Sequence, residues 1–266
     1  VSVLSEERKR VILDQLDRYG KVKVEPLARQ LQVSHETIRR DLDSLERLGK
    51  LKRVYGGAVK QSYQTGEPPY LQRQSLHQAE KQRIGKLAAE LLRDGETVVI
   101  DTGTTTLELA RSIRGRKRLT VLTNSLPVAS LLTDSLNQGL FTGKIILLGG
   151  ELNPEQQSIS GPLCEKMLQT FHIDKAFISV GGVSLDSGIS DYDIQEATVS
   201  RVMISVSKES IVLADQSKIG VQAFCRIASL EEIDVIVSDV EMPASWKAEL
   251  GATGITWMTA KERETV

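Results

Sequence analysis

Residues 34–49 read Ser-His-Glu-Thr-Ile-Arg-Arg-Asp-Leu-Asp-Ser-Leu-Glu-Arg-Leu-Gly, and what they form decides the first part of the fold. Ser34 suits a helix N-cap, because its hydroxyl can accept from backbone N–H groups that have no helical partner. Ile38, Leu42 and Leu45 recur at i, i+4 and i+7 and make one apolar stripe. Gly49 is expected to close the helix, where a left-handed residue is cheap. Thr37, Arg39 and Arg40 lie off the stripe in the first turns. Upstream, residues 24–31 predict a shorter helix with Pro26 in its first turn, and Gln32-Val33 the connection. Two helices on a tight turn, the second basic and polar at its start, match what a helix-turn-helix needs to read a major groove.

Paired arginines on a helix are also what an ordinary charged surface helix carries. Two neighbouring features weigh against that plainer account. Residues 50–60, Lys-Leu-Lys-Arg-Val-Tyr-Gly-Gly-Ala-Val-Lys, predict a short hairpin turning at Gly56-Gly57, a basic wing carrying Lys52, Arg53 and Lys60. Charge is also divided along the chain. Residues 1–60 hold 14 Lys+Arg and 9 Asp+Glu, a net +5, leaving 20 and 26, a net −6, for the other 206. A basic head on an acidic body points to a nucleic-acid footprint at one end. The expected contacts to double-stranded DNA are Ser34, His35, Thr37, Arg39, Arg40, Lys52 and Arg53.

At 266 residues the chain has room for a small domain and a larger one. Cys164 and Cys225 stand far apart with no CxxC spacing or histidine neighbour, so no zinc site, other metal site or disulfide framework is expected. No apolar run approaches the roughly 18 residues of a membrane helix. The first residues, Ser5-Glu6-Glu7-Arg8-Lys9-Arg10, are charged rather than secretory. Together these features predict a cytoplasmic protein without a cofactor or a membrane partner. Residues 5–19 predict a helix with Val11, Ile12, Leu16 and Tyr19 on one face. Residues 61–79 are polar and carry Gly66, Pro68 and Pro69, which reads as a stiffened linker between a domain 1–60 and a domain 80–266.

Beyond the helix predicted at Glu80–Arg93, β-branched runs alternate with helical stretches. The runs are Thr97–Ile100, Leu119–Leu122, Lys144–Leu148, Lys175–Val180, Ser210–Ala214 and Asp234–Val237, with Ile255–Met258 as a last edge strand. Such alternation implies an open, mostly parallel α/β layer fold. Small and hydroxyl residues follow these strands: Asp101-Thr102-Gly103-Thr104-Thr105-Thr106, Asn124-Ser125, Gly150, Gly181-Gly182, and Asp215 with Lys218. In an open parallel sheet the carboxyl ends of the strands face one crevice, where ligands bind. A helix opening at Thr104 adds free amides to three hydroxyls, an anion-favouring arrangement. It is not a P-loop, since no Gly-Lys-[ST] follows. Threonines after a strand also cap helices without any ligand.

Ser34 through Leu42 with the Tyr55-Gly56-Gly57-Ala58 wing resemble the N-terminal module of the DeoR family of bacterial transcription regulators. Asp101–Thr106, Gly181-Gly182 with Gly188, Glu196–Met203 and Asp215–Gly220 resemble that family's sensor domain, so the resemblance spans nearly the whole chain. It implies a sensor related in fold to sugar-phosphate isomerases and deaminases, and an effector that is a phosphorylated sugar or sugar alcohol. By that resemblance Asp101 and Gly103–Thr106 hold the phosphate or neighbouring hydroxyls, with Asn124, Ser125 and Lys218 around the ligand. Thr102 stands where Ser is commoner, and Gln216 and Ile219 replace the usual Ser and Phe, departures that bear on the sugar rather than the phosphate.

The expectation is therefore a repressor of a carbohydrate-catabolism operon, not an enzyme. A single head reads too few base pairs for genomic specificity, so a homo-oligomer, dimer or tetramer, is expected. Two alternatives stand beside it. A sugar-phosphate isomerase or deaminase with a DNA-binding head would need a general base, for which Asp101, Asp191 or Asp215 are available, but no histidine evidently enters the crevice. A pure oligomerisation module would leave the strand-end hydroxyls unexplained. The acidic group Asp191, Asp193 and Glu196 fits either a solvated helix start or a grip on ligand hydroxyls. His35 begins the recognition helix, His77 lies in the linker, and His172 precedes a strand, where a structural role is the plainer one.

Overall fold

In the computed structural model, residues 3–19, 21–48, 50–54, 56–59 and 67–261 are described. They divide into two compact units, residues 1–65 and 66–266.

The first unit opens with helix α1 (Val3–Tyr19), strand β1 (Lys21–Lys23), α2 (Val24–Gln30) and α3 (His35–Arg47). Strands β2 (Lys52–Val54) and β3 (Gly57–Val59) follow. The predicted stripe forms the core: Ile12 and Leu16 of α1 and Leu27 of α2 pack on Ile38, Leu42 and Leu45 of α3, all essentially buried. Val11 is half-buried, and the expectations for the Tyr19 side chain and for Gly49 fall outside the described residues. The wing has a third strand the sequence did not announce, giving the antiparallel order β1-β3-β2. Of the Gly56-Gly57 pair expected at the turn, Gly57 already belongs to β3. A Cβ there would sit 2.1 Å from the Val22 carbonyl oxygen, so only glycine lets β3 close on β1.

The second unit continues with α4 (Tyr70–Gln74), α5 (Gln78–Glu90), β4 (Thr97–Ile100), α6 (Thr104–Ser112), β5 (Leu119–Thr123), α7 (Leu126–Asn137) and β6 (Gly143–Leu147). Next come β7 (Glu151–Asn153), β8 (Ser158–Ser160), α8 (Pro162–Leu168), β9 (Ile173–Ser179), β10 (Gly182–Ser184) and β11 (Gly188–Asp191). The chain proceeds through α9 (Ile194–Ser205), β12 (Ser207–Leu213), β13 (Cys225–Ala228), β14 (Val235–Ser238), α10 (Lys247–Thr253) and β15 (Thr256–Thr259). Seven strands form one sheet in the order β15-β14-β12-β9-β4-β5-β6, every neighbouring pair parallel. The expected edge strand is β15. In the inner strands β4, β5, β9, β12 and β14 near-continuous apolar runs are buried on both faces, as a covered parallel sheet requires, while the edge strands β6 and β15 stay partly exposed. Val98, Ile100 and Phe177 pack under α5, α6 and α7, while Val99, Ala176 and Ile178 pack under α8 and α9.

One boundary differs from expectation. The stretch 67–79 is folded onto the second unit instead of linking the two. Tyr70 is fully buried in the sheet-side core, and its N–H donates to the Glu155 carbonyl at 3.0 Å. The Pro68-Pro69 pair ends the extended chain at the start of α4 instead of spacing two domains. Two small antiparallel sheets also went unforeseen: the β7–β8 hairpin and β10-β11-β13.

Candidate functional site

On the first unit, Ser34 caps α3, its Oγ accepting from the Thr37 N–H at 3.1 Å and lying 2.9 Å from the Thr37 hydroxyl. His35, Arg39 and Arg40 are exposed along the first turns of α3, and Thr37 is half-buried. Among the described residues the acidic partner of both arginines is Glu36, at 3.9 Å from Arg39 and 3.5 Å from Arg40. Pairs so exposed are worth little, so both guanidiniums are available to a phosphate or a base edge. Arg53 differs. Its guanidinium donates to the Arg39 carbonyl at 3.3 Å and pairs with Asp43 at 3.2 Å, while its N–H donates to Glu46 at 2.7 Å. It fastens the wing to α3. Lys52 lies on β2, its side chain outside the described residues. From behind, buried Asp41 of α3 accepts from Arg8 of α1 at 2.7 and 3.2 Å and from the Ser5 hydroxyl at 3.3 Å. This tie fixes α3 on α1, and the sequence reading missed it.

On the second unit, strand order reverses direction between β4 and β9, since β5 and β6 run out on one side and β12, β14 and β15 on the other. Such a switch point opens a crevice at the strand carboxyl ends, and most predicted residues gather there. Gly103 is the N-cap of α6, with Thr104, Thr105 and Thr106 as its first turn, where amides lack intrahelical acceptors. Ser125 caps α7, and Asn124 precedes it. Contrary to an open crevice, these groups are closed over: Asn124, Ser125 and Thr106 have no exposed surface. The β7–β8 hairpin does the covering, with the Ile159 N–H donating to the Asn124 carbonyl at 2.8 Å and the Leu126 N–H to Gln157 at 3.1 Å. From the other side α9 contributes Ser200, whose hydroxyl donates to Asp101 at 2.7 Å, and Glu196, which accepts from the Ser158 hydroxyl.

The Thr102 hydroxyl and the Asn124 side-chain oxygen are buried with no hydrogen-bond partner among the described residues, while the Asn124 amide nitrogen faces the Asp101 carboxyl without closing a full hydrogen bond. Native proteins rarely leave such groups unmatched, and a bound polar ligand is one way they are satisfied. Burial pushes the Asp101 carboxyl up to about 7, against the hydrogen bonds from Ser200 and the Thr102 N–H, which favour the charged form. Burial likewise raises Glu196 to about 7, and it raises Asp191, assisted by the charges of Glu67 and Glu196. Of the acidic group left open by the sequence, Asp193 caps α9 by accepting from the Gln195 and Glu196 N–H groups at 2.7 and 3.0 Å. Asp191 and Glu196 instead face the site.

Positive charge at the site is larger than the sequence indicated. Lys218, on the 3-10 turn Gln216–Lys218, reaches Glu67 at 3.2 Å and lies 6.0 Å from the centre of the Tyr192 ring. Arg73 of α4 pairs with the same Glu67 at 3.0 Å and donates to Gln156 at 2.6 Å. Buried Lys81 of α5 donates to the Arg73 carbonyl at 2.8 Å, and burial lowers its pKa to about 8 within the fields of Asp215, Lys218, Arg73 and Glu67. Arg73 and Lys81 escaped the sequence reading, being placed in a linker and in the polar run Glu80-Lys81-Gln82-Arg83.

The remaining predicted residues have plainer local roles. Asp215 accepts from the Ser217 N–H and hydroxyl at 2.9 and 2.5 Å and caps the turn bearing Lys218. Gly103, Gly150, Gly181 and Gly182 let neighbouring segments approach closely: added Cβ atoms would stand 2.2 Å from Ser179 Oγ, 2.4 Å from the Ser160 carbonyl, 2.9 Å from the Tyr192 ring and 2.3 Å from the Val221 carbonyl. His172 is exposed, and His77 starts α5 with its carbonyl accepting from the Lys81 N–H. Among the described residues no cluster of His, Cys, Asp and Glu is arranged to hold a metal. No described helix is long and apolar enough to cross a membrane.

Comparison with known proteins matches residues 8–64 to the DeoR-like helix-turn-helix domain and residues 76–240 to the DeoR C terminal sensor domain. The HTH-type transcriptional repressor GlcR of Bacillus subtilis is 37% identical over 234 residues, 88% of either chain. The putative aga operon transcriptional repressor of Escherichia coli O157:H7 is 34% identical over 251 residues, 94% of this chain and 91% of that one. Among solved structures, ribose 5-phosphate isomerase A of Methanocaldococcus jannaschii aligns with 54% of this chain and 55% of its own, at 16% identity and a TM-score of 0.38.

Proposed function

The chain belongs to the DeoR family of transcriptional regulators, and from that membership we propose that it represses a carbohydrate-catabolism operon until a phosphorylated sugar or sugar alcohol binds its α/β unit. The N-terminal unit binds double-stranded operator DNA in the cytoplasm, with α3 in the major groove and the wing along the backbone. His35, Thr37, Arg39 and Arg40 face the duplex, Lys52 serves a phosphate, and Ser34 and Arg53 hold the reading helix and the wing in register. The protein works as a homo-oligomer, because one such head reads too short a site.

The observation that carries the effector's chemistry is the strand-end site itself. Unmatched Asn124 and Thr102 polar atoms and the first turn of α6 lie at the switch point, and three cations, Lys81, Arg73 and Lys218, stand within one another's fields beside it. The cations suit a phosphate. Asp101, Asp191 and Glu196 hold protons near neutral pH and suit sugar hydroxyls without the full repulsion three ionised carboxylates would exert. The test is thermal unfolding with paired ligands, each phosphorylated sugar beside its unphosphorylated form. A ligand at 100 times its Kd adds about 2.7 kcal/mol of stability, so the phosphorylated member of one pair shifts the transition and its partner does not. Equal shifts from both members would remove the phosphate from the account.

A further inference from the structure

Among the described residues Glu67 is the carboxylate that forms ion pairs with both Lys218 and Arg73, and it follows the segment that leads back to the DNA-binding unit. Its Oε1 lies 3.2 Å from Lys218 Nζ and 3.0 Å from an Arg73 guanidinium nitrogen, with the side chain only 8% exposed. Lys81 also feels its charge. The residue is eight positions past Val59, the end of β3 (67 − 59). Its segment is strapped to the turn between β7 and β8: the Gln156 side chain donates to the Glu67 carbonyl at 3.5 Å, Arg73 donates to the Gln156 side chain and to the Pro68 carbonyl at 2.9 Å, and the Tyr70 N–H donates to Glu155. That hairpin is the one closing over Asn124 and Ser125.

Resting on the effector reading above, we propose that Glu67 is a resident counter-anion that the effector's phosphate must displace, so that filling the site frees the segment joining the two units. A carboxylate shared by two cations is a fair mimic of a phosphate oxygen pair, since both accept charge-assisted hydrogen bonds at similar distances. A dianion outcompetes it where a neutral sugar does not, which makes Glu67 a filter for charge as well as a lever. The burden of displacement also keeps affinity below what the bare cations would give.

Inorganic phosphate is the probe. Calorimetric titration of the full chain compares the unaltered protein with Glu67→Gln, Glu67→Asp and Lys218→Ala. Gln keeps an acceptor for Arg73 but no charge, and Glu67→Gln is expected to bind phosphate roughly ten- to a hundredfold more tightly, the span of one or two charge-assisted hydrogen bonds no longer contested. Glu67→Asp is too short to serve both cations and is expected to tighten binding several-fold, so it carries the test if Glu67→Gln does not fold. In the unaltered protein, phosphate should also speed amide hydrogen exchange at Tyr70, whose bond to Glu155 holds the strap. Phosphate binding that Lys218→Ala loses, but that both Glu67 variants leave unchanged or weaken, would make Glu67 a structural partner of Arg73 and overturn this inference alone. No phosphate binding by any of the four proteins at millimolar concentration would overturn the effector site with it.

Discussion

The two units of this molecule hold their working groups in opposite states. On α3 the arginines that face outward are barely engaged, Arg39 and Arg40 keeping 57% and 79% of their side-chain surface exposed. At the strand ends of the α/β unit almost every candidate group is buried and bound to another: Asp101 to Ser200, Glu196 to Ser158, Lys218 and Arg73 to Glu67. A surface that meets a large polyanion needs only fixed geometry and free charge. A site that must recognise a small ligand and report it is instead assembled from parts that already satisfy one another and have to be exchanged. Substitutions in the head should therefore change binding without changing stability, whereas substitutions at the strand ends should change both.

The largest effect expected from this contrast is on DNA. Arg40→Ala or Arg39→Ala should weaken a specific duplex by about 1–3 kcal/mol if the side chain reaches a base edge. Lys52→Ala should lower the salt dependence of log K by about 0.9 if it serves one phosphate. In each case unfolding stability should stay within about 0.5 kcal/mol. Binding isotherms at several salt concentrations, with denaturant unfolding of the same proteins, check both halves. Undisturbed binding accompanied by lost stability would invert the contrast.

Behind the reading face the rule reverses. Asp41→Asn weakens the tie between α3 and Arg8 of α1, and the first unit should lose about 1.5–3 kcal/mol, the worth of a hydrogen bond to a charged group. Arg8→Ala should cost a similar amount, and the double variant should cost less than the sum, because the two share one tie. Additive losses would show that the pair is not a unit.

A smaller and slower effect concerns pH. Asp101 and Glu196, at about 7, lie above the usual carboxylate values near 4. Between about pH 4 and 7 the folded chain therefore holds protons that the unfolded chain has released, and linkage makes their contribution to stability fall as pH rises across that window, levelling off above it. Asp101→Asn should remove one share of that slope. Because an arriving phosphate raises these carboxyls further, its binding should take up protons near pH 7.5. Calorimetry in buffers of differing ionisation enthalpy reads that uptake directly, and a release of protons by the carboxyls would contradict the arrangement.

The same contrast governs how much could be read from the chain. The head is local: Ser34, the Ile38–Leu42–Leu45 stripe and the glycines of the wing announce α3 and the hairpin within a few residues of one another. The strands of the parallel sheet were also legible, because burial on both faces of the inner five demands β-branched runs and the two edge strands, though partly exposed, carry short runs of the same kind. What failed to appear was whatever depends on distant partners. Strand β1, Lys-Val-Lys, is too short and too charged to stand out until β3 pairs with it. Segment 67–74 looked like a linker because Pro68-Pro69 and its polar residues carry no period, yet Tyr70 and Arg73 are claimed by the core and by Gln156 in the hairpin turn. Lys81 sat in a charged run that ordinarily faces water and instead turns toward Arg73. The strand-end threonines, Asn124 and Lys218 were legible as candidates by type and position. Their closure by the β7–β8 hairpin was not, since it rests on contacts spanning more than thirty residues (159 − 124).

One measurement bears on the whole account. Fluorescence anisotropy of a duplex, selected by the protein from a random pool, would be followed while phosphorylated sugars and their free forms are added in turn. The account predicts that one phosphorylated compound releases the duplex from the unaltered protein, that its free form does not, and that Lys218→Ala binds the duplex normally but is no longer released. Retention of the duplex against every phosphorylated compound, or equal release by the free sugar, would contradict it.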